Sequence, residues 1–299
     1  MSAEYLIAIT TYRRPLALAR LLDSLARVER IDEADLLVID NDAAQTARST
    51  VEPHALAARY LVEPSPGVVA ARNRALSEFA EAYRALIFID DDESVGPQWF
   101  RQMTEFAERS GADIVRAPVV PEFPPGSPNW AVHGGFFSRT PLRTGEVAAW
   151  AGTGNTLVTR AAWASSGYPR FDPRFGATGG EDVDFFRTMQ DNGCTILALA
   201  EAVAYEEVTP ERLSWRWLRQ RMLRDGTIDV AIRRKHRQAL VLPILRGIPK
   251  SIAHAALIVA DLIRGRGLRG QSVRAILFEW GRLLGVAGVR ITGYRSDEE

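Results

Sequence analysis

The 299-residue chain has one cysteine, Cys194, so neither an internal disulfide framework nor a cysteine cluster for zinc can form. A reducing compartment follows as the expectation, with Cys194 itself a small buried apolar residue. The four histidines, His54, His133, His236 and His254, match no metal-ligand spacing. The opening MSAEYLIAITTYRRP lacks a basic lead and a long apolar segment. Its apolar run is of strand length, which argues against a secretory signal and for a cytoplasmic protein. Neither internal repeats nor low-complexity segments occur. With 46% hydrophobic and 25% charged residues, the composition is that of a soluble protein with one large domain and an appendage.

Net charge is also lacking, but the zero hides an asymmetry. Residues 1–210 hold 19 Lys+Arg against 29 Asp+Glu, residues 211–290 hold 17 against 5, and the last nine hold one against three. This split suggests an acidic domain over 1–210 and a basic helical extension over 211–299. No nucleic-acid reading motif accompanies the basic part, so nucleic acid is not an expected partner.

Along the acidic part, strand-like runs alternate with helical patterns. YLIAIT is followed by Pro15, suited to a first helical turn, and by Leu18, Leu21, Leu22 and Leu25 at helical spacing. ADLLVID, RYLVEP and ALIFIDDD supply further strands, with VVAARNRALSEFAEA a helix between the last two. The alternation predicts an α/β fold with a mainly parallel sheet covered by helices on both faces, and ligands beyond the carboxyl ends of its strands. Thr10, Tyr12, Asp40 and Asp90 to Asp92 fall at those ends. The stretch 121–150 is rich in Pro and Gly and reads as a long functional loop. NTLVTR then suggests a strand, GEDVDFFRTMQDNG a helix, and TILALAEAVAYEE one or two more strands. Thr209 and Pro210 suggest the N-cap and first residue of a helix through ERLSWRWLRQRMLRDG.

Two acidic sites carry the chemistry. Asp90, Asp91, Asp92 and Glu93 end an apolar strand, and such hard oxygens suit Mg2+ or Mn2+ bridging to phosphates; a solvated surface run is the ordinary alternative. In FGATGGEDVDFF, Glu181 and Asp182 follow two glycines. They read either as a helix cap or as carboxylates held where a ligand comes close, able to take a proton from a hydroxyl.

IAITTYRRP, VIDND, GVVAARNRAL, FIDDDE, GTGNTLVTR, GGEDVDFFRTMQDNG and AYEEVTPERLSWRWLRQRMLRDG stand in one order. In that order they resemble inverting family 2 glycosyltransferases, above all bacterial enzymes that extend exopolysaccharide or O-antigen chains. The resemblance spans roughly the first three quarters of the chain. It implies the Rossmann-like GT-A fold with a C-terminal helical extension. It also implies a nucleotide-diphosphate sugar as donor, a glycan or lipid-linked acceptor, and Mg2+ or Mn2+ as cofactor. Thr10, Tyr12, Arg14, Asp40, Arg72, Asp90, Asp91 and Asn155 would form the donor pocket, with Asp40 reading the base edge and Arg221 clamping the diphosphate. Taken singly, Tyr12 reads as core packing, Arg14 and Arg72 as solvated charges, and Asp40 as a helix cap. Asp92 would bind the metal, with Glu206 or Glu207 standing where many relatives have a histidine. Asp182 would be the general base and Glu181 would orient the acceptor. A glycosidase would need a second carboxyl group to protonate the leaving group, which a nucleotide diphosphate does not require. A sugar-nucleotide pyrophosphorylase is a rival, but TTYRRP lacks its glycine-rich phosphate loop. A non-catalytic nucleotide-sugar-binding protein on the same fold is another.

In the basic part, SIAHAALIVADLI is too short and too polar to span a bilayer. VRAILFEWGRLLGVAGV sets Ile276, Trp280 and Leu283 at helical spacing near arginines, which suits either an anionic membrane surface or docking on its own domain. Peripheral attachment at the inner face of the cell membrane is the corresponding expectation, and Trp130 is a candidate for the acceptor side.

Overall fold

The computed structural model describes residues 3–138 and 140–293. β1 (Tyr5–Thr11) leads to α1 (Pro15–Leu25), where Pro15 pre-sets the first turn and Leu18, Leu21, Leu22 and Leu25 are all fully buried. β2 (Ala34–Asp40), α2 (Arg48–Val51), β3 (Arg59–Val62), α3 (Val68–Glu78) and β4 (Ala85–Asp90) follow, then β5 (Glu93–Val95) and α4 (Trp99–Ser110). β6 (Ile114–Arg116), β7 (Val119–Glu122), α5 (Asn129–His133), β8 (Thr156–Thr159) and α6 (Arg160–Ser165) precede α7 (Glu181–Asp191), β9 (Ile196–Ala198) and β10 (Ala204–Glu207). α8 (Trp215–Lys235), α9 (Val241–Ile263) and α10 (Gly270–Val286) complete the chain.

The main sheet has the order β3-β2-β1-β4-β8-β6-β9, with β8 antiparallel to both neighbours and the other pairings parallel. Alternate residues of β1 enter different cores: Tyr5, Ile7 and Ile9 pack with α1 and α4, Leu6 and Ala8 with α3 and α7. A sheet buried on both sides needs strands apolar at every position, which is why β1 and β4 read as unbroken hydrophobic runs. β5, β10 and β7 form a small second sheet.

The chain divides into two compact units. One takes in Met1–Val120, Thr140–Gly176 and Glu181–Glu206; the other takes in Pro121–Arg139, Ala177–Gly180 and Glu207–Glu299. The division differs from a single cut at Pro210, because part of the Pro/Gly-rich stretch joins the helical unit through aromatic packing. Trp130, considered above for an acceptor, stacks on Trp215 with centroids 4.9 Å apart, and Phe136 packs edge-on to both rings.

Two helical expectations change, and of the two readings of 273–289 the docked one is found. Thr209 and Pro210 open only a 3-10 turn (Pro210–Arg212), and α8 begins after Ser214, whose hydroxyl accepts from the Trp217 N–H at 3.3 Å. The segment 251–263 is the second half of α9, a helix that runs through Pro249 and reaches 23 residues. α9 is therefore long and apolar enough to cross a membrane by length and composition, and only 6% of its apolar window is buried. α10 docks on its own unit: a Cβ on Gly285 would lie 3.1 Å from Thr227 Cα, and one on Gly281 3.0 Å from Gly226 Cα. Backbones approach that closely only where side chains are missing.

Candidate active site

The carboxyl ends of β1, β2 and β4 lie side by side. Thr10 sits opposite Asp90 in the parallel register, and Thr11 opposite Asp40. Beyond β4 the acids turn inward. Asp91 is 5% exposed; its Oδ2 accepts from Thr11 Oγ1 at 2.7 Å and its Oδ1 from Arg14 Nη1 at 3.3 Å. The same Arg14 nitrogen donates to Asp92 Oδ2 at 3.0 Å. Burial pushes the Asp91 carboxyl up to about 6, with Asp92 and Asp90 adding to the rise against the pull of Arg14. Glu93, buried on β5, sits opposite Glu206 of β10 in an antiparallel pair. Burial first, then the charges of Asp90 and Glu206, raise Glu93 well above the usual carboxylate range.

The second group stands at the start of α7. Gly179 and Gly180 have φ of 81° and 89°, which only glycine adopts without strain, and they deliver the chain into the helix. Arg72 of α3, itself buried, joins the two groups: Nη1 donates to Glu181 Oε1 and Nη2 to Asp90 Oδ1 at 3.3 Å. Burial raises the Glu181 carboxyl above its ordinary range; the Arg72 charge opposes this and Asp182 adds to it. Glu181 Oε2 is buried without a hydrogen-bond partner.

Asp182 Oδ1 accepts from the Val183 N–H at 2.7 Å. Its Oδ2 faces space kept open by Gly152, where a Cβ would come within 2.8 Å of that oxygen. Gly154 does the same for Glu93 and Asp90, at 2.7 and 3.3 Å. Beside Gly152 lies Trp150, 44% exposed, with the Arg116 guanidinium 3.7 Å from its ring centroid. Trp150 and Gly152 are additions to the residues expected from sequence, where WAGTG was the available signal; Glu93, one of the four acids named there, carried no separate role.

Several expected residues are placed differently. Asp40 is fully buried, with Oδ1 accepting from the Asp42 N–H at 3.0 Å and Oδ2 from the Ala47 N–H at 3.0 Å and Tyr60 Oη at 2.7 Å. It orders the loop after β2 rather than presenting an edge to a base. Asn155, also fully buried, accepts from Trp99 Nε1 at 2.8 Å and donates to Pro118 O at 2.8 Å and Ala202 O at 2.7 Å. Its side chain ties three loops together and leaves no capacity for a donor. Glu181, expected to orient an acceptor, is held inward by Arg72. Tyr12 is 42% exposed beneath the Arg13 guanidinium, whereas core packing was its alternative. Arg221 belongs to the helical unit, paired with Asp225 at 3.3 Å on α8.

These residues fit a divalent cation. The donors are hard carboxylate oxygens, and burial, with neighbouring acids adding to it, drives Asp91 and Glu93 toward protonation, a stress that positive charge relieves. Among the described residues no three His, Cys, Asp or Glu stand together as a ready cage. That matches an ion held by one or two carboxylates and completed by substrate phosphates, the usual arrangement for Mg2+.

The site thus sits on a mainly parallel sheet, with acids at its strand ends tied through Arg72 to a helix-borne carboxylate. The solved structures agree on the fold. A mannosyltransferase from Pyrobaculum calidifontis, solved in complex with GDP-Man and Mn2+, superposes with TM-score 0.65 at 14% identity, covering 96% of this chain and 88% of that one. S. aureus TarS 1-349 gives 0.55 at 14% identity over 97% and 92%. Of a longer TarS chain this protein spans 43%. The model of Glycosyl transferase family 2 matches residues 6–163, and that of Glycosyl transferase family group 2 matches 85–276. The succinoglycan biosynthesis protein ExoM of Rhizobium meliloti (strain 1021) is 38% identical over 229 residues, 74% of this chain and 72% of its own. The chain belongs to glycosyl transferase family 2.

Proposed function

We infer that this glycosyltransferase moves a sugar from a nucleoside diphosphate donor to a hydroxyl of a glycan or lipid-linked acceptor in exopolysaccharide assembly, with inversion at the transferred carbon. The observation that carries the reading is Asp182 Oδ2, open beside Gly152, in a site whose helix is tied through Glu181 and Arg72 to the acids ending β4. Asp182 accepts the proton of the acceptor hydroxyl as that oxygen attacks the sugar from the face opposite the diphosphate. Val183 N–H fixes the other oxygen and so aims the carboxylate. Asp90 and Asp91 take the ribose side of the donor, with Thr10 and Tyr12 beside them. Arg14 and Arg72 hold the acids in register against their mutual repulsion. Asp92 and Glu206 would hold Mg2+ or Mn2+, which when bound supplies positive charge for the diphosphate. Trp150 offers an aromatic face to the acceptor sugar. The relative's part in succinoglycan biosynthesis supports a polysaccharide acceptor.

We read the helical unit, residues 207–299 with its two short additions, as a peripheral attachment to the inner face of the membrane. The apolar, largely unburied α9 and the basic balance of 211–290 support this.

The test is a panel of nucleotide sugars with Mn2+ and a membrane extract, following released nucleoside diphosphate. Wild type is expected to turn over one donor in a Mn2+-dependent manner. Asp182→Asn should bind that donor normally while transfer falls by about 10²- to 10⁴-fold. Asp92→Ala should lose Mn2+-dependent donor binding. Transfer by Asp182→Asn at the wild-type rate would refute the base assignment.

A further inference from the structure

The helical unit holds a cavity of about 280 Å3 among α8, α9 and α10, apart from the acids described above in chain and in charge. Four cations line it: Arg233 from α8, Arg246 and Lys250 from α9, and Arg282 from α10. Two acids answer them. Asp229 Oδ2 accepts from Arg233 Nε and Arg282 Nε, each at 2.8 Å. Glu279, 6% exposed, accepts from Arg282 Nη1 at 3.2 and 3.1 Å, pressed against α9 where Gly247 has no side chain. These bonds fix Arg233 and Arg282 and cancel two of the four charges.

Arg246 and Lys250 are the surplus. Lys250 Nζ comes no nearer than 3.9 Å to Glu279, and Arg246 makes no hydrogen bond or ion pair among the described residues. Two cations held near a neutralised floor suit an anion of one or two charges, and guanidinium with ammonium is the donor pair that phosphate takes. The rim is apolar, formed by Leu242 and Pro243. Leu242 is itself about half accessible, so the rim opens to the outside of the unit. A free anion has no use for such a rim; an amphiphile has.

We propose that this cavity takes the phosphate headgroup of an anionic membrane lipid, with the acyl chains leaving over the apolar rim of Leu242 and Pro243. The proposal rests on the membrane reading of the helical unit and names its ligand.

The test is co-flotation of the full chain with vesicles of phosphatidylcholine alone or mixed with phosphatidylglycerol. Arg246→Gln/Lys250→Gln is compared with Arg264→Gln/Arg266→Gln, a pair of exposed cations at the far end of the same helix whose loss removes equal charge. Wild type should float with the anionic vesicles. The cavity pair should lower that partition about tenfold more than the control pair, and excess inorganic phosphate should not displace the protein. Equal losses in the two pairs would overturn the cavity assignment and leave the membrane reading standing, as would equal flotation of wild type on both vesicle types. Absence of wild-type flotation on either vesicle would remove both. Calorimetric binding of inorganic phosphate that vanishes in Arg246→Gln/Lys250→Gln, without vesicle binding that depends on the same pair, would assign the cavity to a soluble phosphate instead.

Discussion

The two units solve opposite problems with charge. In the first, carboxylates lie inside: Asp91, Glu93 and Glu181 are all at most 5% exposed, held by Arg14, Arg72 and Thr11 or driven toward protonation. In the second, the cations lie outside and the apolar surface lies with them, as α9 shows. A buried, crowded set of acids is costly unless a ligand of positive charge completes it. An exposed apolar helix with cations is costly unless a surface of opposite character covers it. The ligands proposed above answer these opposite needs, a cation with a diphosphate in one unit and an anionic amphiphile in the other.

The sharpest way to break the comparison is to undo the order that buries the acids. Asn155→Ala leaves Trp99 Nε1 and Ala202 O unsatisfied in the core and removes one of two bonds to Pro118 O, which keeps the Ala204 N–H, and alanine is strained at the φ of 58° that asparagine tolerates. A loss of about 3 kcal/mol in stability is expected, read by urea denaturation. Unchanged stability would mean that the loops of the first unit do not depend on this residue.

A smaller effect separates the units by pH. Folding raises the Asp91 carboxyl from the ordinary 3.8 to about 6, because burial disfavours its charge. The folded state therefore holds this proton more tightly. The stability it contributes is complete below the unfolded value and is lost as pH rises through about 6. Measured with a chelator present, stability should decline by about 2 kcal/mol between pH 4 and pH 7, and Asp91→Asn should remove most of that slope. A slope that survives in Asp91→Asn would assign the titration to another group.

What the sequence shows of this molecule follows from how local each feature is. The strand-helix alternation and the acids at the ends of β4 and before α7 are legible, because period and strand-end chemistry are written within a few residues. Asn155 finds its partners Trp99 and Ala202 far off in the chain, whereas Asp40 adds the distant Tyr60 to two local bonds, from the Asp42 and Ala47 N–H groups, that lie near its cap reading. Both are buried polar residues saturated by structure, a state that neighbouring sequence does not report. Glu93 went unassigned because only the β5-β10 pairing sets it opposite Glu206. The run SIAHAALIVADLI is only the second half of α9, which continues on its N-terminal side through Pro249 to Val241.

The mildest test concerns Trp150, exposed beside Asp182, the base proposed above. Trp150 keeps 44% of its surface exposed although its unit buries Trp99 and Trp163 almost completely. The Arg116 guanidinium over its ring fixes its orientation and draws on the same π-electrons that the C–H face of a sugar would meet. If that ring receives the acceptor, Trp150→Ala should raise the acceptor KM about fivefold, matching roughly 1 kcal/mol of stacking, while Trp150→Phe recovers most of it. Hydrolysis of the donor by water, which needs no acceptor contact, should stay at the wild-type rate in both variants. A change confined to donor hydrolysis would move Trp150 to the donor side, and the open face of the first unit would then belong to the nucleotide sugar rather than to the growing chain.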